Sequence, residues 1–315
     1  MTAVPAAGEK TPQRRKRPAS GTQRSESRVA WAFSAPALIL LLAFIVLPFL
    51  LAFVLSFTNQ RLISPLPTKF VGIDNYVDTL ASATFWKAFF NNVWFVVIVV
   101  PVQTAFALWL AILVNRKIPG RVFFRTVFFL PVVTVMAAAA VIWSLLFNAN
   151  GLVNAIMETV TLGAFSPDWL NSTTWALPAM MIVGIWQGVG FQMVILLAAL
   201  QDVPEVLYEA ASIDGASRWQ QFTNVTLPGI RNGLIFVITV TTILAFRLFD
   251  QVYIMPRVPG GPLDSTRTMM LELVETGFGA QAIGRGAAIA VIFFVIVLVL
   301  TLVQRRFIRE EGEVT

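Results

Sequence analysis

The sequence predicts an all-α, polytopic membrane protein with six transmembrane helices and a short polar helical segment between the fourth and fifth. Three observations lead there. Hydrophobic residues are 57% of the 315 and charged residues 13%, about half the charge of a soluble domain, and the mean hydropathy is +0.75. Several apolar runs exceed the roughly 18 residues that cross a hydrocarbon core of about 30 Å. Lys and Arg gather at the ends of these runs, the pattern that sets membrane topology.

The same composition excludes several chemistries. The chain has no Cys and no His, so thiol nucleophiles, thiolate metal sites, imidazole bases and structural disulfides are absent. No G-x-x-x-x-G-K-[ST] run occurs, so nucleotide chemistry belongs to another chain. The net charge of +6 reflects membrane topology and not a nucleic-acid partner, because the basic residues sit at span ends.

Residues 1–30 read as a disordered, basic cytoplasmic tail: Lys10, Arg14, Arg15, Lys16, Arg17, Arg24 and Arg28 stand against Glu9 and Glu26. The following apolar run is too long for a cleaved signal peptide and lacks a small-residue cleavage site. Residues 31–304 are the membrane domain and 305–315 a second cytoplasmic tail.

Span 1 runs from about Trp31 to Phe57, 27 residues without a charge. As helix it is about 40 Å long, so it tilts, kinks or protrudes, with Pro36 and Pro48 as kink points. Residues 58–88 read as a loop carrying Pro65 and Pro67. Span 2 covers about Phe89–Val114, followed by a short basic loop with Arg116, Lys117, Arg121 and Arg125. Span 3 covers about Thr126–Phe147, and residues 148–174, without Lys or Arg, connect it to span 4 at about Trp175–Leu200. Span 5 covers about Leu234–Met255. A Gly/Pro-rich loop and a polar stretch lead to span 6 at about Gly286–Val303.

Six spans put both termini on one side. Of the 23 Lys and Arg, sixteen then fall in the termini, the 116–125 loop and the segment between spans 4 and 5. Six (Arg61, Lys69, Lys87, Arg257, Arg267 and Arg285) fall on the other side, and Arg247 lies within span 5. This bias makes the sixteen-charge side cytoplasmic.

Residues 204–233, between spans 4 and 5, are the one long polar segment in the last two-thirds of the chain. Asp202 and Pro204 suit a helix start, and Glu205 and Glu209 lie near its N-terminus, where the dipole favours negative charge. Val206, Leu207, Ala210, Ala211 and Ile213 form an apolar stripe. Asp214-Gly215 is a turn signal, with Asp214 available to cap a second short helix through Trp219 and Phe222. Such a segment suits either an interfacial connector or a handle gripped by a cytoplasmic partner.

Glu209-Ala210-Ala211, Gly215, then nine residues, then Val225-x-Leu227-Pro228 resembles the E-A-A-x-x-x-G-x9-I-x-L-P signature of bacterial ABC importer permeases, with Val225 for Ile as its one departure. The likeness extends to F-V-G-I-D-N-Y at 70–76, R-V-F-F-R-T-V-F-F-L-P at 121–131, N-A-N-G-L-V-N at 148–154, and Phe249-Asp250 with Tyr253 followed by Gly260-Gly261-Pro262. Together these resemble the carbohydrate-uptake permeases of the maltose and glycerol-3-phosphate type. The family commonly has a Thr close before Gly-Gly-Pro. Pro256-Arg257-Val258-Pro259 stands here instead, so the outer end of span 5 is expected to differ.

The resemblance implies a type I importer permease fold and a multi-pass subunit of the bacterial cytoplasmic membrane. It implies no enzymatic activity and no cofactor on this chain, with ATP and Mg on the ATPase. It also implies partners: a second permease, two ATPase subunits, an extracytoplasmic solute-binding protein and surrounding lipid. Residues 204–233 become the coupling loop, with Glu209, Ala210, Ala211, Asp214, Gly215, Leu227 and Pro228 meeting the ATPase; Glu209 pairs with an Arg there. The implied cargo is a sugar, oligosaccharide or glycerol phosphate, with a non-sugar solute as the alternative.

Arg247 lies about two-thirds of the way across span 5, where a buried Arg costs roughly 2.5–3.5 kcal/mol. Asp250 at i+3 suits a local ion pair; alternatively Arg247, Asp250 and Gln251 line a polar cavity for a hydroxyl-rich or anionic substrate. Trp186 and Gln187 lie among Gly184, Gly188 and Gly190, a spacing that equally serves close helix packing. Trp143 and Asn148 at the end of span 3 suit either ligand contact or interfacial anchoring. A lipid-modifying membrane enzyme would need clustered acids, His or metal ligands, and the acids here are scattered. A stand-alone carrier would leave residues 204–233 unexplained, and the internal repeats common in carriers are not evident.

Overall fold

A computed structural model describes residues 22–64, 67–116 and 119–309. Most of the N-terminal tail, Pro65, Lys117 and residues 310–315 lie outside the described residues. The chain divides after Leu51 into two units.

The first unit holds α1 (Thr22–Leu41), a π-helical turn (Leu42–Val46) and the start of α2 (Leu47–Leu55). Helix α1 takes in residues 22–30, which composition assigns to the tail. Extending an existing helix costs far less than nucleating one, so the apolar run from Trp31 carries the helix backward. Pro36 lies within α1. Pro48 cannot donate to the carbonyl four residues back, and the backbone widens just ahead of it.

The second unit contains the rest. Helix α3 (Asp74–Ala81) and the first turns of α4 (Ala83–Asn115) occupy the stretch expected to be a loop. Asn75 donates to the carbonyls of Ser56 and Thr58, both at 2.8 Å, and the Tyr76 hydroxyl meets that of Ser56 at 2.6 Å. The F-V-G-I-D-N-Y run is therefore a clip on the chain leaving span 1. Next come α5 (Arg121–Val133), α6 (Met136–Leu146), α7 (Leu152–Val160) and α8 (Ala176–Gln201). Helix α7 lies in the expected connector. Asn154 anchors it by donating to the carbonyls of Ala149 and Pro167 and accepting from the Trp169 indole at 2.8 Å.

The polar segment forms α9 (Glu205–Ile213), α10 (Arg218–Gln221), a second π-helical turn (Phe222–Thr226) and α11 (Leu227–Gly229). Helices α12 (Arg231–Phe246) and α13 (Asp250–Ile254) follow, then α14 (Met269–Val274), a third π-helical turn (Glu275–Gly279) and α15 (Ile283–Arg309).

Among the described residues, five helical stretches are long and apolar enough to cross a membrane: Trp31–Leu55, Ala83–Asn115, Ala176–Gln201, Arg231–Ile254 and Ile283–Arg306. The sixth crossing, span 3, is not straight. Helices α5 and α6 are bent by 98° at Thr134–Val135, where both residues are extended. Pro131 near the end of α5 removes a helical donor, and the Thr134 hydroxyl folds back to the Pro131 carbonyl at 2.6 Å. Span 5 is also broken: α12 stops at Phe246, and Phe249 (φ −138°, ψ −61°) precedes α13.

Helix α8 packs against α4, α5 and α12. Lipid tails are as apolar as Leu, so close contact and hydrogen bonds hold such helices together, not exclusion from water. Gly190 lets α5 approach so closely that an added Cβ would collide with the Phe128 carbonyl, and a Cβ at Gly188 would collide with the Gln103 amide. Two apolar clusters fill this region. One joins Phe95, Val99, Met180, Val183, Ala245, Leu248 and Val252. The other joins Leu110, Val114, Met193, Leu196, Ile230 and Val237.

Candidate functional sites

Residues 204–233 fold as a compact, outward-facing unit. Pro204 precedes α9 in extended geometry and caps without a side chain, so the start expected from Asp202 is not used. Glu209, Ala210, Asp214 and Gly215 are exposed and Ala211 is half-buried. Gly215 has φ +77° and nothing within 4 Å of where a Cβ would stand. The turn thus demands glycine for its conformation while leaving open space outside. Asp214 ends α9 and does not cap α10. Ser217 does so, in a capping box with Gln220 (2.8 and 3.3 Å), because the left-handed Gly215 delays the next helix by two residues. The Tyr208 hydroxyl meets that of Thr226 at 3.0 Å, and Gln221 donates to Ser212 at 3.0 Å. These bonds tie α9 to the returning chain. Leu227 is half-buried and Pro228 exposed. Ile213 (86%) and Trp219 (71%) are among the most exposed large apolar side chains.

The second site is a cavity of about 510 Å³ lined by residues of α4, α5, α6, α8, α12 and α13. It lies at both broken spans: Val132 and Met136 flank the bend of span 3, and Arg247, Leu248, Phe249 and Asp250 form the break of span 5. Irregular backbone at membrane depth is tolerated where it is buried in protein or lines a polar cavity. Gln187 donates to the Thr134 carbonyl freed by the bend, at 3.1 Å. Gln251, 1% exposed, donates to Met136 sulfur at 3.3 Å, and its Oε1 has no partner among the described residues.

Arg247, Asp250, Gln251 and Gln187 therefore share one cavity. The ion pair between Arg247 and Asp250 is not formed. The break at 247–249 removes the helical i, i+3 geometry that pairing requires. Trp143 and Trp186 stack edge-to-face at 5.4 Å outside the lining. Asn148 serves a turn: its carbonyl accepts from Gly151 at 2.8 Å and its side chain from the Asn150 amide at 3.3 Å. Sequence reasoning missed Gln103 and Thr241, both in the lining. A lone Gln within the apolar run of span 2 was the available signal.

Between spans 5 and 6, Arg267 binds Asp264, Glu272 and Glu275 at 2.7, 2.8 and 2.6 Å. Burial by itself would lower its pKa, but hydrogen bonds and charge from Asp264 and Glu275 outweigh this and raise it above the ordinary guanidinium value. Asn91 of α4 donates to the Asp264 and Arg267 carbonyls at 3.0 and 2.9 Å. Gly260 (φ +85°) and Gly261 (φ +72°) make the preceding turn.

A helical bundle with an exposed polar segment between two spans and a cavity at two broken ones defines a membrane permease. Residues 80–310 match the family described as binding-protein-dependent transport system inner membrane component, and the chain belongs to that family. It is a multi-pass inner-membrane component of an ABC transport system. The lactose transport system permease protein LacF of Rhizobium radiobacter is 33% identical over 282 residues, covering 89% of this chain and 94% of that one. The trehalose/maltose transport system permease protein MalF of Thermococcus litoralis is 34% identical over 280 residues, covering 88% and 92%. The fold matches a chain of a bacterial alginate ABC transporter solved with an alginate pentasaccharide-bound periplasmic protein (TM-score 0.77, 21% identity, covering 93% and 98%).

Proposed function

We propose that this chain forms half of the translocation pathway of an ATP-driven importer of saccharides, paired with a second permease. The observation that carries the reading is the unit at 204–233, an exposed E-A-A helix and glycine turn with apolar side chains directed away from its own chain. A partner ATPase covers Ile213 and Trp219 there and pairs an Arg with Glu209. Both termini are cytoplasmic, as the Lys and Arg distribution suggests. ATP and Mg reside on the ATPase subunits; this chain transmits their movement. The saccharide comes from a binding protein on the opposite side. Relatives named for lactose and for trehalose/maltose transport support the substrate class. So does a cavity whose mainly apolar wall carries Gln103, Gln187, Gln251, one Arg and one Asp, polar groups that suit hydroxyls.

The test is uptake of radiolabelled lactose, maltose and trehalose by cells expressing the complete transporter, alongside co-purification of the ATPase. Glu209→Lys should abolish uptake while the chain still inserts in the membrane. Normal uptake and undiminished ATPase co-purification in that variant would sink the coupling role. Failure of all three sugars to be taken up, with coupling intact, would sink the substrate class alone.

A further inference from the structure

The break in span 5 leaves the backbone carbonyls of Phe246, Arg247 and Leu248 without the helical donors they would find in an unbroken helix, the amides of Asp250, Gln251 and Val252. Those of Phe246 and Leu248 are met by side chains from elsewhere. Asn92 of α4 donates to the Phe246 carbonyl at 3.1 Å, and Thr268 donates to the Leu248 carbonyl at 2.8 Å. The two caps are themselves joined. The Asn92 side-chain oxygen accepts from the Met269 amide at 2.8 Å, and the Thr268 hydroxyl accepts from the Leu271 amide at 3.3 Å, capping α14. Asn92 and Thr268 are each 0% exposed. Asn92 thus uses both ends of its amide, and Thr268 its hydroxyl as both donor and acceptor.

Leaving a buried carbonyl unpaired is costly, so the chain without these caps would regain its own helical bonds by closing the break. In a continuous helix Arg247 and Asp250 become i, i+3 neighbours and pair with each other. In the broken one they stay apart, and both line the cavity. We propose that Asn92 and Thr268 are positioning residues that hold the span 5 break open and so keep Arg247 and Asp250 separate and facing the cavity. Through Thr268 and Met269 they also tie that break to the start of α14 in the loop between spans 5 and 6. The proposal deepens the saccharide-pathway reading and rests on it for its functional meaning, though the geometry can be tested alone.

The chain has no Cys, so an introduced thiol is its sole thiol. In membranes carrying the complete transporter with cysteine-free partners, Asp250→Cys is labelled with a small cationic methanethiosulfonate. Thr268→Val, and separately Asn92→Leu, should slow this labelling about tenfold, the scale of one lost buried hydrogen bond. Thr268→Ser, which keeps the hydroxyl, should restore it. Val160→Cys, at a 74% exposed position of α7, should label at an unchanged rate in every background.

Unchanged labelling at position 250 in both Thr268→Val and Asn92→Leu would overturn the proposal. So would a Thr268→Ser rate equal to that of Thr268→Val, or a parallel fall at position 160 that marks general loss of fold. Protection of the Asp250→Cys thiol by lactose, maltose or trehalose tests the pathway separately. Labelling that responds to Thr268 without sugar protection would retain the latch and reject the pathway.

Discussion

Residues 204–233 are consecutive in the chain, whereas the cavity draws its walls from α4, both halves of broken span 3, α8 and the break of span 5. In the first region each feature has a local cause: a left-handed glycine, a capping box three residues apart, a Tyr–Thr bond across the return. In the second, the polar groups that are fixed are held by residues far away in sequence. Gln187 depends on Thr134, Gln251 on Met136, and the span 5 break on Asn92 and Thr268. On the proposed function, a surface that meets a shared type of ATPase is well served by a portable local motif, and a cargo site gains from distributed construction, because many separate positions can then tune it.

Substitutions can break that contrast or sharpen it. The largest effect is expected from Gly215→Leu, which, like Glu209→Lys, should abolish uptake while thermal unfolding in detergent stays close to wild type. The strained turn costs about 1–2 kcal/mol locally. A bundle that melts at a markedly lower temperature would show that the segment is not local after all.

Gly190→Val should do the reverse. It drives a side chain into the Phe128 backbone and should lower the stability of the whole bundle by about 1–3 kcal/mol or more, seen as a lower melting temperature. An unchanged melt would mean that α5 and α8 can separate without cost.

Arg247→Ala should leave the melt unchanged and reduce stimulation of ATP hydrolysis by saccharide-loaded binding protein about tenfold, the scale of a lost charged hydrogen bond. Full stimulation would make Arg247 structural at most. The smallest effect belongs to Ser217→Ala, which removes one cap at a cost of about 1 kcal/mol. Hydrogen exchange confined to 217–222 should report it; protection unchanged there would deny the capping box any role.

The two regions also differed in how far the sequence revealed them. The span count and the E-A-A helix were legible because helix-length apolar runs, turn residues and short-range spacing are local properties, whereas the clip at 70–76 fell in a stretch read as loop. Within residues 204–233 the miss was small: Ser217, not Asp214, is the cap, since Gly215 changes where the next helix can begin. Larger misses came at the breaks. Span 3 is apolar throughout, and Pro131 alone does not announce a 98° bend. Span 5 carries Arg247 and Asp250 at a pairing distance that only an unbroken helix would realise, and the residues that keep it broken lie in span 2 and in the loop before span 6. Gln103 and Thr241 entered the cavity lining for the same reason, as their role depends on which helices meet.

The wide turn at Phe222–Thr226, two residues ahead of Pro228, has a mechanical consequence. Each residue advances an α-helix by about 100°, so one surplus residue in a turn acts as a phase shift between everything before it and everything after. It sits between α9 and the span that carries Arg247, and so, on the proposed coupling role of α9, sets the angle at which a push there reaches span 5. Deleting one residue there would leave composition, hydropathy and Glu209-Ala210-Ala211 itself untouched, and would shorten only the spacing between Gly215 and Leu227-Pro228. It would still turn the downstream helix by roughly a quarter of a revolution, like a gear remounted on the wrong tooth.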